Sequence, residues 1–201
     1  MMTTIWTVGH STRTSEEFLE LLKSNGIEQV ADVRRFPGSR RFPQFDQAAL
    51  RETLAAAGIR YVHLGELGGR RPVRPGSRNL AWRNASFRGY ADYMETPEFR
   101  AGVDRLLAFA ASGRTAVMCA EALWWRCHRS LVADDLRSAG HRVLHILGPG
   151  KVEEHPYTSA ARLVDGRLTY ELPQTGPPAM HKGSALEKIP KTRGFKPRPI
   201  S

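Results

Sequence analysis

Short apolar runs alternate with segments of helical periodicity along this chain, and few folds satisfy that alternation. Residues 5–8, 29–33, 60–64, 114–118 and 142–146 are runs of strand length. Between them lie helix signals. Thr14 with Glu17 three residues on forms a capping box ahead of Phe18, Leu21 and Leu22, and Gly26 closes that helix. Asp46 opens a second helix through Leu50 and Leu54 to Gly58. Thr96-Pro97 opens another whose apolar positions are Phe99, Val103, Leu106, Leu107 and Ala110, and residues 130–138 read as a helix ended by Gly140. Phe87, Tyr90 and Tyr93 also recur near helical spacing, which implies core packing. Val30, Ala31 and Val33 suggest a strand buried on both faces. The pattern predicts an α/β chain: one three-layer domain, Rossmann-like or rhodanese-like, around a mostly parallel sheet of about five strands. Asp165-Gly166, between Leu163-Val164 and Leu168-Tyr170, marks a hairpin turn.

The domain reads as residues 1–173. Residues 174–201 read as a separate basic, Pro-rich tail, where Lys182, Lys188, Lys191, Arg193, Lys196 and Arg198 face Glu187 alone. With no apolar face to bury, this tail is expected to be mobile, serving solubility or acting as an electrostatic arm. The whole chain carries 30 Lys and Arg against 20 Asp and Glu, a formal charge of +10, which favours an anionic small molecule or nucleic acid as partner. No apolar run reaches the ~20 residues of a membrane helix, and residues 1–9 lack a secretory pattern. Two cysteines make no disulfide framework, so a reducing, cytoplasmic setting is expected. The pattern fixes no oligomeric state.

In a parallel sheet every strand points its carboxyl end at one edge, where ligands bind. Gly9, His10 and Ser11 follow the first run; Asp32, Arg34 and Arg35 stand at the end of the second, then Ser39 and Arg40. After the third comes a long stretch, 65–86, bearing Arg70, Arg71, Arg74, Arg78 and Arg83. Cys119 and Glu121 follow the fourth, and Gly148-Pro149-Gly150 the fifth. The densest stretch runs from Cys119 through Glu121, Trp124, Trp125 and Arg126 to Cys127-His128-Arg129. A thiol, an imidazole and a carboxylate so close could act as nucleophile, base and orienter, and a helix amino end beside Arg126 and Arg129 favours a thiolate. The candidate catalytic residues are therefore Cys119, Glu121, Cys127 and His128. Gly9, His10, Ser11, Asp32, Arg34, Ser39, Arg40 and Arg129 are the candidates for binding substrate. No cofactor is expected. Zinc is the alternative left by Cys119, Cys127 and His128 with His10, His145 or His155, but Cys-x7-Cys matches no usual zinc spacing. Trp124 and Trp125 suit a stacking platform or a lid over the pocket.

These residues together resemble the bacterial and archaeal family known as domain of unknown function 488. The resemblance rests on Val8-Gly9-His10-Ser11, Asp32-Val33-Arg34 with Pro37 and Ser39, and Leu67-Gly68-Gly69. Phe87 with Tyr90, Cys119-Ala120-Glu121, Cys127-His128-Arg129 and His145-Ile146 complete it. It runs from about residue 4 to 172 and implies an α/β domain with a pocket at these motifs. A second likeness, to rhodanese-type sulfurtransferases, rests on Asp32-Val33-Arg34 and on Cys119 between strand and helix; it implies sulfur transfer. Against it, Glu121 would stand beside a persulfide anion, and the loop has no glycine. The expected function is an enzyme on a phosphate-bearing or nucleic-acid substrate, worked by the Cys/Glu/Cys-His-Arg cluster. The alternatives are a nucleic-acid-binding or DNA-repair-associated module with a structural cluster, and then a sulfurtransferase.

Overall fold

The computed structural model describes residues 2–173; the tail read from 174–201 lies outside the described residues. Six strands form one sheet: β1 (Thr4–Gly9), β2 (Gln29–Asp32), β3 (Arg60–His63), β4 (Thr115–Cys119), β5 (Arg142–Gly148) and β6 (Lys151–Glu154). Their order is β3-β2-β4-β1-β5-β6. The first five are parallel, as the alternation of strands and helices requires. The sheet is mostly parallel, as expected, and β6 adds one antiparallel edge strand to β5. Gly148-Pro149-Gly150 makes the turn between them, with Gly150 at φ 62°, and contributes nothing to the cleft described below. β7 (Arg162–Val164) and β8 (Arg167–Thr169) form the separate hairpin around Asp165-Gly166.

The helices are α1 (Ser15–Ser24), α2 (Gln47–Ala56), α3 (Ala85–Met94), α4 (Pro97–Ala110) and α5 (Arg129–Ser138). Local chemistry starts most of them. The Thr14 hydroxyl accepts from the Glu17 N–H while the Glu17 carboxylate accepts from the Thr14 N–H, closing the capping box. Asp46, Asn84 and Thr96 cap α2, α3 and α4 in the same sense. His128 stands at the cap of α5 and makes no capping bond, because its ring is engaged elsewhere.

Alternation along the strands sorts the core into two layers. Ala116 and Met118 pack with Phe18, Leu22, Leu50 and Leu54 of α1 and α2. Val117 and Cys119 pack on the other face with Tyr90, Phe99, Leu106 and Leu131 of α3, α4 and α5. No helix among the described residues is long and apolar enough to cross a membrane.

Candidate active site

The topology opens a crevice over one strand end. The chain leaves β1 through α1 onto one face and leaves the neighbouring β4 through α5 onto the other. Connections that part in this way leave a gap at the carboxyl edge, the usual binding place in a parallel sheet. A cleft of about 790 Å³ lies there. His10, Ser11 and Thr12 wall it after β1, Arg34, Arg35, Phe36, Gly38, Ser39 and Phe42 after β2, and Gly69, Arg70 and Phe87 from the long loop and α3. Its floor holds Cys119, Cys127 and His128. Ser11 (φ 55°) and Arg70 (φ 59°) are two of the three non-glycine residues with left-handed backbone among the described residues, a costly conformation that gathers at functional clefts.

The floor is tightly organised. Cys119 ends β4, and Cys127 follows a 3₁₀ turn over Trp124–Arg126 just before α5. Both thiols are buried. His128 Nδ1 lies 3.6 Å from Cys127 Sγ and 4.0 Å from Cys119 Sγ. On the ring's far side Nε2 sits 3.2 Å from the Val33 carbonyl oxygen. A carbonyl can only accept, so Nε2 carries the proton and the Nδ1 lone pair faces both sulfurs. The two thiols are one coupled unit. A hydrogen bond from Cys119, aided by Arg129 against the effect of burial, holds the Cys127 thiol well below the usual range. The same hydrogen bond, with burial, pushes Cys119 well above it. Gly69 lies against this ring: a Cβ there would sit 2.8 Å from His128 Nδ1.

Arginines surround the floor. Arg34 is a wall residue committed to Asp32, whose Oδ1 accepts from its Nε at 2.9 Å and Oδ2 from its Nη2 at 2.6 Å. Arg35, Arg70 and Arg126 also line the cleft, and none has a carboxylate partner among the described residues. The one acidic wall residue is Glu121, exposed, its carboxylate turned to the Leu123 N–H. The ring of His10 stacks on Phe45 at 4.1 Å, and its Nδ1 donates to the Ser11 carbonyl. Burial, with the charge of Arg34, lowers its pKa to about 4 and keeps it neutral. The Ser39 hydroxyl accepts from the Phe42 N–H and shapes the wall.

The structure thus brings together His10, Ser11, Arg34, Ser39, Cys119, Glu121, Cys127 and His128 in one cleft. Four other expected residues stand outside it. Gly9 lies beneath, where a Cβ would meet the Glu121 carbonyl oxygen at 1.9 Å, so its part is to let the cluster loop close down. Asp32 is fully buried behind Arg34. Arg129 is 1% exposed and donates to the carbonyls of Glu121 and Ala122, tying the loop from within. Arg40 is exposed and does not line the cleft. Arg35, Arg70 and Arg126 take its place; the sequence shows them as loop charges without telling which would face inward. Among the long loop's other arginines, Arg71 binds the Gly68 carbonyl and covers the Tyr93 ring, while Arg74 and Arg78 pair with Glu95 and Glu171.

Behind the cluster runs a buried chain. Thr7 Oγ1 meets His145 Nδ1 at 2.6 Å, His145 Nε2 meets His155 Nδ1 at 2.8 Å, and His155 Nε2 meets Asp134 Oδ1 at 3.0 Å. Trp124 stacks on His145 at 4.2 Å, so it braces the cluster loop from inside rather than offering a platform to a ligand. Trp125 is exposed. His145 and His155 are thereby spent on each other and stand apart from the cysteines.

A family model described as "Domain of unknown function DUF488" matches residues 14–136, which include Asp32, Arg34, Cys119 and Cys127-His128-Arg129. Neither a curated protein nor a solved structure matches the chain.

Proposed function

The chain belongs to the DUF488 family, and from that premise we propose that it is an enzyme acting on an anionic substrate, phosphate-bearing or nucleic acid. One observation carries the reading: two buried thiols converge on a single imidazole at the floor of a cleft that Arg35, Arg70 and Arg126 surround. Burial of two thiols against a ring nitrogen contributes little that apolar packing would not supply, so the arrangement points to chemistry. The arginines hold the anionic group, their planar donors matching an oxyanion two bonds at a time. His128 Nδ1 is the proton acceptor beside the reacting atom, and Glu121 at the rim is a second acid–base group.

The nucleic-acid-binding alternative loses support from the long loop. Arg71, Arg74 and Arg78 are spent on intramolecular contacts and offer no free phosphate stripe. Sulfur transfer is weaker still, because the loop after Cys119 turns the carbonyls of Glu121 and Ala122 onto Arg129 and carries an acidic side chain.

The test is a turnover screen over phosphomonoesters, nucleotides and DNA and RNA oligomers. His128→Gln and Cys127→Ser should abolish the activity found. Arg70→Ala should raise KM with kcat nearly kept. Turnover indifferent to Cys127 and His128 would overturn the reading. Binding of oligomers without turnover, with affinity falling steeply with salt, would favour the binding module instead.

A further inference from the structure

We propose that Cys119, Cys127 and His128 form a zinc site with three protein ligands and a fourth position open to the cleft. The Sγ atoms and Nδ1 all lie within 4.8 Å of one another. Zinc held tetrahedrally at ~2.3 Å from sulfur and ~2.0–2.1 Å from nitrogen sets a sulfur–nitrogen edge of ~3.6 Å. The two sulfur–nitrogen edges in the structure are 3.6 and 4.0 Å and the sulfur–sulfur distance is within 4.8 Å, so the three atoms stand within about an ångström of the separations an ion requires.

The surroundings point the same way. A ligating histidine normally donates its other ring N–H to a carbonyl or carboxylate, and the Val33 carbonyl takes that place for His128. The bond leaves the Nδ1 lone pair aimed at the sulfurs. A nucleophilic thiol needs one imidazole and one sulfur; a second sulfur on the same lone pair is redundant there and necessary for a metal. Two sulfurs and one imidazole make a borderline-soft set that suits zinc over magnesium or calcium. Gly69 keeps the space over Nδ1 free, since a side chain there would begin 2.8 Å from the ligand atom. The Glu121 carboxylate is not in this cluster, and the cleft side stays open, as in zinc sites that polarise a bound water or substrate oxygen. Metal entry displaces the thiol protons to solvent, and no oxidant or reductant takes part.

The inference rests on the reading of the cleft as a reaction centre only for the use of that fourth position; with the ion bound, Nδ1 is a ligand and Glu121 at the rim takes over as proton acceptor. Its test is cobalt(II) titration of the full chain after reduction and removal of metal by a chelator, together with elemental analysis of protein purified without chelator. One equivalent should bind with sulfur-to-cobalt charge-transfer bands and the visible bands of a tetrahedral ion. Cys119→Ser, Cys127→Ser and His128→Gln should each weaken binding by ~100-fold or more, beyond the 10–100-fold of an outer-shell change. Gly69→Ala keeps all three ligands and should also weaken it, which covers the case of a ligand variant that does not fold. Arg70→Ala should leave cobalt binding intact while weakening inorganic pyrophosphate. Three results would overturn the site: no stoichiometric uptake, bands that survive the three ligand variants, or a Cys119–Cys127 disulfide whose reduction restores no uptake. If pyrophosphate still binds through Arg70 without cobalt uptake, the zinc site fails and the function proposed above stands. Cobalt uptake without pyrophosphate binding gives the reverse.

Discussion

Removing the Asp32 carboxylate should cost more stability than any surface change. It accepts from the Arg34 N–H at 3.0 Å, from Nε at 2.9 Å, from Nη2 at 2.6 Å and from the Tyr61 hydroxyl at 2.9 Å. Asp32 is fully buried and Arg34 is 6% exposed, so Asp32→Ala leaves a guanidinium without its counter-charge and without water. Breaking a buried pair from one side costs about 3–5 kcal/mol. For a chain of this size that is a fall in Tm of roughly 6–20 °C. Arg34→Met should cost a comparable amount, because it strands the carboxylate and removes the donor to the Phe45 carbonyl. The double variant removes both charges and should lie well above the sum of the singles, with a coupling of about 0.5–3 kcal/mol. Urea unfolding of the four proteins at one pH measures it. Strict additivity would refute the argument, since Arg34 would then be a solvated cleft cation rather than half of a buried pair.

Gly9→Ala should destabilise by about 1–3 kcal/mol, because the new methyl meets backbone, the Glu121 carbonyl oxygen at 1.9 Å, and the cluster loop must lift. Calorimetry together with cobalt uptake would check both consequences, and an unchanged Tm would count against the close approach. Thr14→Ala removes the α1 cap far from the cleft and should cost about 1 kcal/mol, visible as a Tm fall with no change in ligand binding. Acid stability follows from His145, which burial and then its neighbour His155 lower to about 2 from an ordinary 6.5, with Arg129 adding to the effect. The ring stays neutral in the folded state while the unfolded chain takes up a proton. Its contribution is therefore complete above pH 6.5 and is lost below it at ~1.4 kcal/mol per pH unit. Asp134 and Tyr170 face the same network from the His155 side. His145→Gln should flatten the fall of the urea midpoint between pH 6.5 and 4.5, and an identical slope in both proteins would contradict this.

Much of the fold is written in short-range patterns. The Thr14–Glu17 box, the Thr96-Pro97 start and the apolar runs depend on residues a few positions apart, and the structure places elements at each. β6 was not legible, because Lys151, Val152, Glu153 and Glu154 are all exposed and show no alternation; only pairing with β5 makes them a strand. Parallel strands also brought the ends of β1, β2 and β4 to one edge, which is why His10, Arg34 and Cys119 meet. Which arginine faces inward could not be read. Arg40 and Arg70 look equivalent in sequence, and of the two Arg70, at a left-handed backbone position, lines the cleft. Cys119, Cys127 and His128 were grouped from the sequence, but that both sulfurs meet the His128 Nδ1 could not be read, since one thiol ends a strand and the other follows a 3₁₀ turn ahead of α5. The Thr7–His145 bond, spanning 138 positions, lies beyond any local pattern.

The most direct test of the central claim is a crystal structure of the protein with inorganic phosphate. The account predicts phosphate in the cleft, held by Arg35, Arg70 and Arg126 above the sulfurs of Cys119 and Cys127. Phosphate found only at the opposite sheet edge, beside Lys23 and Arg114, with the cleft empty at saturating concentration, would contradict it.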